Sequence, residues 1–351
     1  MQVLTSLLLA TALLPIAPQR GDQLIWRPAA GTQVQRTVSS SLASVTEEAL
    51  LSMNGDERDT GSGMERSSES TVQTTDRFGD PRGDSGPGSI QRTFDTVVES
   101  MDIAGQPEGV LVRGAEGGSR PMEGLAVNFA WDEDSSGYEP SWQPGAGGQD
   151  EWLTGLRADM DGAAFLPEGP VEEGDTWKVD LSSVQDLFRP GGEIFVEEDG
   201  NLEDDQDIPE GGIVILVPST GDIRRLDDLQ GKLSAEYAGR REVDGRSLGV
   251  IELELQLEGE IDVSEDLQDG SPIDQVFDTA KLGLTYAGRG ELLWDIEGHH
   301  MAGFSFEAEI ESALDATWTV GNEAFSMEVS YQDAKTATHT VDAVVERVDP
   351  E

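Results

Sequence analysis

The chain is ruled by a period of two. Between residues 231 and 345, apolar side chains recur at every second position in five successive runs. Leu233, Ala235 and Tyr237 make the first. Ile251, Leu253, Leu255 and Leu257 alternate with Glu252, Glu254, Gln256 and Glu258 in the second. Leu282, Leu284 and Tyr286, then Leu292, Trp294 and Ile296, make the third, with Gly288 and Gly290 between them. Phe304, Phe306, Ala308, Ile310, Leu314, Ala316, Trp318 and Val320 make the fourth, and Phe325, Met327, Val329, Tyr331, Val341, Ala343 and Val345 the fifth. A helix would scatter these residues around its axis, whereas an extended strand puts them all on one face. Runs of this kind joined by turns, Gly321-Asn322 being one hairpin signal, predict an antiparallel meander with one apolar and one polar face. Several runs exceed the usual strand length of about 3–10 residues. Such strands twist and curl, and Gly288, Gly290 and Gly303 are the expected bend points.

The N-terminal half carries the same signal more weakly. Stretches 24–54, 64–78, 90–103, 108–112 and 125–131 read as strands rich in Thr, Ser and Val, separated by Gly- and Asp-rich loops at 54–63 and 79–88. Residues 132–148 are Gly-, Pro- and acid-rich and read as a linker. The expected fold class is therefore mainly β: long curved antiparallel meanders packed as a sandwich or half-barrel, with one or two short helices. The expected organisation is a signal peptide at 1–18, an N-terminal β region at 19–131, the linker at 132–148, and a helix plus C-terminal meander at 149–351. Whether the two β regions form one domain or two is left open.

Between the halves lies the stretch 159–179, DMDGAAFLPEGPVEEGDTWKV. Upstream, Trp152, Leu153, Leu156 and Met160 are spaced by three and four, which predicts a helix over 150–160, opened by Asp150 and Glu151. Phe165, Leu166 and Trp177 are expected core anchors. Residues 181–188 predict a short helix capped by Ser182 or Ser183, and 212–217, GIVILV, a short buried strand. The pattern FLP…V..GDTW in this stretch, with FAWDED at 129–134 and YAGR…GELLWD at 286–295, resembles a group of uncharacterised exported bacterial β-rich proteins, a domain of unknown function. The resemblance implies a β-rich architecture and a place outside the cytoplasm, and it implies no reaction.

The apolar run 3–17, followed by polar sequence, reads as a secretory signal peptide, although its start carries no Lys or Arg. It is short against the roughly 20 residues of a spanning helix, so no transmembrane segment is expected after cleavage and the location is periplasmic or extracellular. Acidic residues outnumber basic ones 70 to 23, a net charge of −47. That field repels nucleic acid and anionic membranes. The chain has no Cys, so no disulfide or thiolate chemistry is available.

Candidate chemistry is sparse. Residues 245–249, GRSLG, match the G-x-S-x-G pattern, but Asp244-Gly245 signals a hairpin where that chemistry needs a strand-to-helix elbow, so Ser247 is a turn residue. His299-His300 sits between strands; a metal site with Asp295 or Glu297 is conceivable, but adjacent residues of an extended chain point apart. His339 keeps the apolar phase and is expected to pack. The acidic run 193–210 fits no frame of the calcium-loop pattern. Arg82-Gly83-Asp84 is a loop tripeptide. The sequence names no catalytic or cofactor-binding residue and no cofactor beyond weak divalent cation binding. The expected role is a non-enzymatic envelope protein binding an apolar small molecule or an envelope partner. The alternatives are an extracytoplasmic hydrolase using carboxylates and a passive structural component.

Overall fold

The structure, a computed structural model, describes residues 21–83, 86–105, 110–113, 117–119, 122–197, 213–216, 229–264, 276–322 and 325–348. The strands are β1 (Gln33–Met53), β2 (Asp56–Asp59), β3 (Glu65–Phe78), β4 (Ser89–Ala104), β5 (Val110–Arg113), β6 (Gly117–Ser119), β7 (Ala126–Asp132), β8 (Gly137–Trp142) and β9 (Thr176–Val179), followed by β10 (Phe195–Glu197), β11 (Ile213–Leu216), β12 (Gln230–Val243), β13 (Arg246–Asp262), β14 (Val276–Asp295), β15 (His300–Asn322) and β16 (Phe325–Val348). One helix, α1 (Val184–Phe188), lies between β9 and β10.

Twelve strands form a single antiparallel sheet in the order β8-β7-β4-β3-β1-β16-β15-β14-β13-β12-β9, with β2 added on β1. The sheet is not closed. The five period-two runs are β12 to β16. β1 pairs with β16 from Gln33↔Val348 to Met53↔Val329, so both β regions share one ladder. Part of the Gly/Pro/acidic stretch 132–148 becomes strand β8, paired with β7. Two small ladders, β6–β10 and β5–β11, lie off the sheet, the second one parallel.

Alternation settles the faces. On β15, Phe304, Phe306, Ala308, Ile310, Leu314 and Ala316 are buried, while Glu307, Glu309, Glu311 and Asp315 are exposed. The inner faces feed one continuous core. Gly288 and Gly290 allow a close approach: a Cβ on Gly288 would meet the Phe306 ring at 2.6 Å and one on Gly290 would meet Ser305 O at 2.4 Å. Their bare backbone makes room for Phe306. The hairpin signal at Gly321-Asn322 falls two residues early, because both residues still pair in the ladder, with Ser326 and Phe325.

Apart from β9, which pairs with β12 at the edge of the sheet, segment 150–194 leaves the sheet and packs its buried residues, among them Leu156, Met160, Phe165 and Leu187, into the inner-face core as a plug. The helix expected over 150–160 does not form. Asp150–Leu153 make a single 3-10 turn, the chain turns again at Thr154-Gly155, where Gly155 takes φ 78°, and it continues without helix to Met160. The apolar spacing is satisfied otherwise: Leu156 and Met160 are buried, but Arg157 N–H donates to Gly191 O (2.8 Å) and Glu193 N–H to Gly155 O (2.9 Å). Tertiary hydrogen bonds have displaced helical ones. The short helix at 181–188 is present as a 3-10 turn running into α1, capped two residues before Ser182, the earlier of the two expected caps, by Asp180 accepting from Ser182 N–H at 2.9 Å. Phe165 is a core anchor at 1% exposure, whereas Leu166 and Trp177 are only half-buried, Trp177 lying on the short edge strand β9 and donating from its indole to Phe165 O (3.0 Å).

Candidate functional site

The plug meets the sheet at a buried ionic cluster. Arg36 on β1, Asp76 on β3 and Arg92 on β4 all project from the inner face, each at 1% exposure or less. Arg92 grips Asp76 with two N–H groups (2.9 and 2.8 Å), and Arg36 donates to the same carboxylate at 2.8 Å. Both guanidiniums then reach the plug. Arg92 donates to Arg157 O (2.9 Å) and Ala158 O (2.8 Å), and Arg36 to Asp161 Oδ1 (2.6 Å). Asp161 also accepts from the Trp26 indole (2.8 Å) and from Met301 N–H (3.3 Å). The rings of Phe78 and Phe129 lie under Arg36 and Arg92, with the guanidinium carbons 5.6 and 5.0 Å from their centroids. Bidentate bonding and weak hydration suit Arg to such burial.

Asp159 shapes the turn of the plug, accepting from Asp161 N–H (2.7 Å) and Ala163 N–H (2.8 Å). Its surroundings desolvate it, and the nearby Asp161 and Asp186 add repulsion, so its carboxyl is pushed up to about 7 even though the residue keeps some contact with solvent. Burial pushes Asp161 up too, but Arg36 and His300 outweigh it and hold the carboxyl below the ordinary range. Two neighbouring carboxylates thus stand in opposite electrostatic settings.

A second cluster lies where α1 ends. The His339 ring stacks on Phe188, centroids 4.9 Å apart and 21° from parallel, and Phe188 also touches Tyr286 and Phe306. Ser40 Oγ lies 2.8 Å from His339 Nε2. Burial of the ring, helped by nearby Arg189, pulls the imidazole down to about 4, although the residue as a whole is half-buried. A serine nucleophile also needs donors for an oxyanion. β1 is paired on both sides at Ser40, with Val341 and Ser70, so the N–H groups around it are engaged in ladders. The Ser–His pair anchors His339, as its apolar phase predicts, and supplies no nucleophile with its surroundings.

Beyond α1 the inner face runs on in cross-strand rows: Tyr286, Ile310 and Ala337, then Leu282 and Leu314, then Ala280, Ala316, Tyr331 and Leu51. All are buried. Set into these rows are Ser312, Asp333 and Lys335. Asp333 accepts from Tyr331 Oη (3.1 Å) and pairs with Lys335 Nζ (2.7 Å). Burial and the adjacent Asp333 push the Tyr331 phenol upward.

Ser247 lies on β13 just after a turn in which Asp244 and Gly245 take positive φ, 50° and 77°, opposite Glu242 on β12. This is the hairpin, with no elbow. His299 sits in a turn at φ 56°, while His300 opens β15, buried, its Nδ1 2.7 Å from Met301 O. Asp295 caps the same turn by accepting from Glu297 and Gly298 N–H (3.1 and 2.7 Å). Among the described residues no three His, Asp or Glu side chains converge as a metal site. Arg82 stacks on Trp131, 3.4 Å from the ring centroid; Asp84 and most of 193–210 lie outside the described residues. Sequence reading missed Arg36, Asp76, Arg92 and Asp333. Each left a signal: a charge on the inward phase, as with Arg36 between Val34 and Val38, or Arg92 between Ile90 and Phe94.

No protein-family model and no curated protein matches the chain. Among solved structures, the chain is similar to one showing lipid–protein interactions in lipovitellin, at 6% identity and a TM-score of 0.35, with 92% of this chain and 26% of that chain covered. It is also similar to OccAB4 of Acinetobacter baumannii, at 7% identity and a TM-score of 0.12, covering 91% and 99%. The chain spans about a quarter of the lipovitellin chain, and likeness at these scores carries no argument about function. Among the described residues no helix is long and apolar enough to cross a membrane.

Proposed function

We propose that this is an exported, non-enzymatic binding protein whose curved sheet holds an apolar ligand against its inner face beyond α1. One observation supports this above the others. The rows of Leu282, Leu284, Ile310, Leu314, Ala316 and Leu51 form a buried apolar wall on the inner face, and the polar side chains of Ser312, Tyr331, Asp333 and Lys335 are set into it. Ligand sites have this make-up: a mostly apolar lining with a few fixed polar groups for orientation. A core built for stability alone does better with apolar residues of similar volume than with a buried ion pair.

The runner-up, a hydrolase, has less behind it, since the one Ser–His contact described above sits in a fully paired strand. The test is to purify the protein from its native envelope and analyse extracted lipids by mass spectrometry, beside the variant Leu314→Asp. Stoichiometric apolar ligand in the natural protein and its loss in the variant is the expected result. Absence of any ligand, with turnover in a hydrolase panel abolished by one carboxylate substitution, overturns the reading.

A further inference from the structure

We propose that the contact between the plug and the sheet is a pH-sensitive latch, closed while Asp159 holds a proton and loosened when Asp159 ionises. The ground is a mismatch of charges around one spot. From the sheet, β1 presents Arg36, β3 presents Asp76 and β4 presents Arg92; from the plug come Asp159, Asp161 and Arg157. α1 adds Asp186, which pairs with Arg157 at 2.7 Å, β8 adds the Tyr138 phenol, and β15 adds His300 beside Asp161. The two guanidiniums Arg36 and Arg92 are matched by the two carboxylates that they bind, Asp76 and Asp161. Arg157 is matched by Asp186. Asp159 is the acid left over: it bonds to backbone N–H groups, and the cation that feels its charge, Arg36, is already shared between Asp76 and Asp161. Its ionisation puts an unmatched negative charge beside Asp161 and Asp186, in the turn through which the plug is held.

The sign follows from where the proton sits. The closed form holds the Asp159 proton up to about pH 7. An opened turn returns the side chain to water and to an ordinary aspartate value, about 3.9. Opening therefore releases a proton between those two values, and its equilibrium constant rises with pH, approaching tenfold per pH unit for one proton, then levels off. The latch is tight in acid and looser at neutral pH. Asp159 reaches solvent in part, so proton exchange needs no prior unfolding.

Hydrogen exchange of the whole chain, read by mass spectrometry between pH 5 and 8 and corrected for intrinsic exchange rates, tests this without any ligand. Protection of peptides covering 155–166 is expected to fall steeply between pH 5 and 7 and to level off above, while β15 peptides hold steady. D159N should remove the pH dependence of 155–166. D186N, which leaves Asp159 in place and removes one repelling carboxylate, should make the fall level off at lower pH and reduce its total size. Protection of 155–166 that does not change with pH in the natural protein overturns the latch, as does an unaltered profile in D159N or in D186N.

Discussion

Arg92→Leu is the sharpest test of how the plug is held. The side chain has no exposure and makes four N–H bonds, two to Asp76 and one each to Arg157 O and Ala158 O, all between 2.8 and 2.9 Å. Leucine fills part of the volume and makes none of them. It leaves Asp76 with Arg36 alone, and it strands two plug carbonyls. Breaking a buried pair by removing one partner costs about 3–5 kcal/mol, because the surviving charge loses compensation. A carbonyl left without a donor adds about 1–3 kcal/mol where no water reaches it. The expected loss is thus at least about 3 kcal/mol, measured by urea unfolding followed through Trp fluorescence. In a double-mutant cycle with Asp76→Leu, the pair should be less damaging than the sum of the singles, with a coupling of about 0.5–3 kcal/mol for residues in contact. A loss below about 1 kcal/mol in Arg92→Leu, or strict additivity, would refute the claim that this cluster holds the plug on the sheet.

Other outcomes follow from the same structure. Mass spectrometry of natively produced protein should find a mature start near residues 18–22; an intact Met1 on the cytoplasmic protein would end the export reading. Phe165→Ala should cost about 3–5 kcal/mol, as full truncation of a buried ring does, and Trp177→Ala less, about 1–3 kcal/mol, because that ring is half-exposed; equal midpoints in denaturant would contradict the difference. Added salt should raise the melting temperature modestly. Direct like-charge opposition on the outer face runs through Glu236, Glu252 and Glu291, while Arg289 separates Glu254 from Glu307 and Thr285 separates Glu258 from Glu311. Melts indifferent to salt would sink that account. On the acid side, Asp161 and Asp22 are held below the ordinary carboxylate range, so the stability they lend is present above about pH 4 and is lost as pH falls further; a chain as stable at pH 2 as at pH 5 would contradict it.

The meander was legible because a buried face writes itself at every second residue. β12 to β16 could be read almost strand by strand, down to His339 on the inward phase. The plug was misread for the complementary reason. Trp152, Leu156 and Met160 have helical spacing, and spacing reports which side chains are buried, not which backbone bonds form. Arg157 N–H, which a helix would have given to Leu153 O, goes instead to Gly191 O, and Gly155 O accepts from Glu193 N–H, partners more than thirty residues away in sequence. The ionic cluster escaped notice because Arg36, Asp76 and Arg92 look like surface charges singly; only their phase against flanking apolar residues betrays them. Asp22, which accepts from the Tyr237 phenol and from Arg240 Nε (2.9 Å), left no local mark at all.

The pairing of β1 with β16 has a consequence for the life of the chain before it is folded. The first long strand and the last lie side by side in the middle of the sheet, Gln33 opposite Val348. Until β16 has emerged, β1 and β15 each show a naked edge more than twenty residues long, and neither half can be completed. The entropy of closing so long a loop grows only slowly with its length, yet such distant pairing makes the search slow and leaves open edges for other chains to join. Assembly from the N-terminus therefore cannot finish piecemeal. The sheet becomes continuous only when β16 slots between β1 and β15, and a truncation of β16 removes the centre of the sheet.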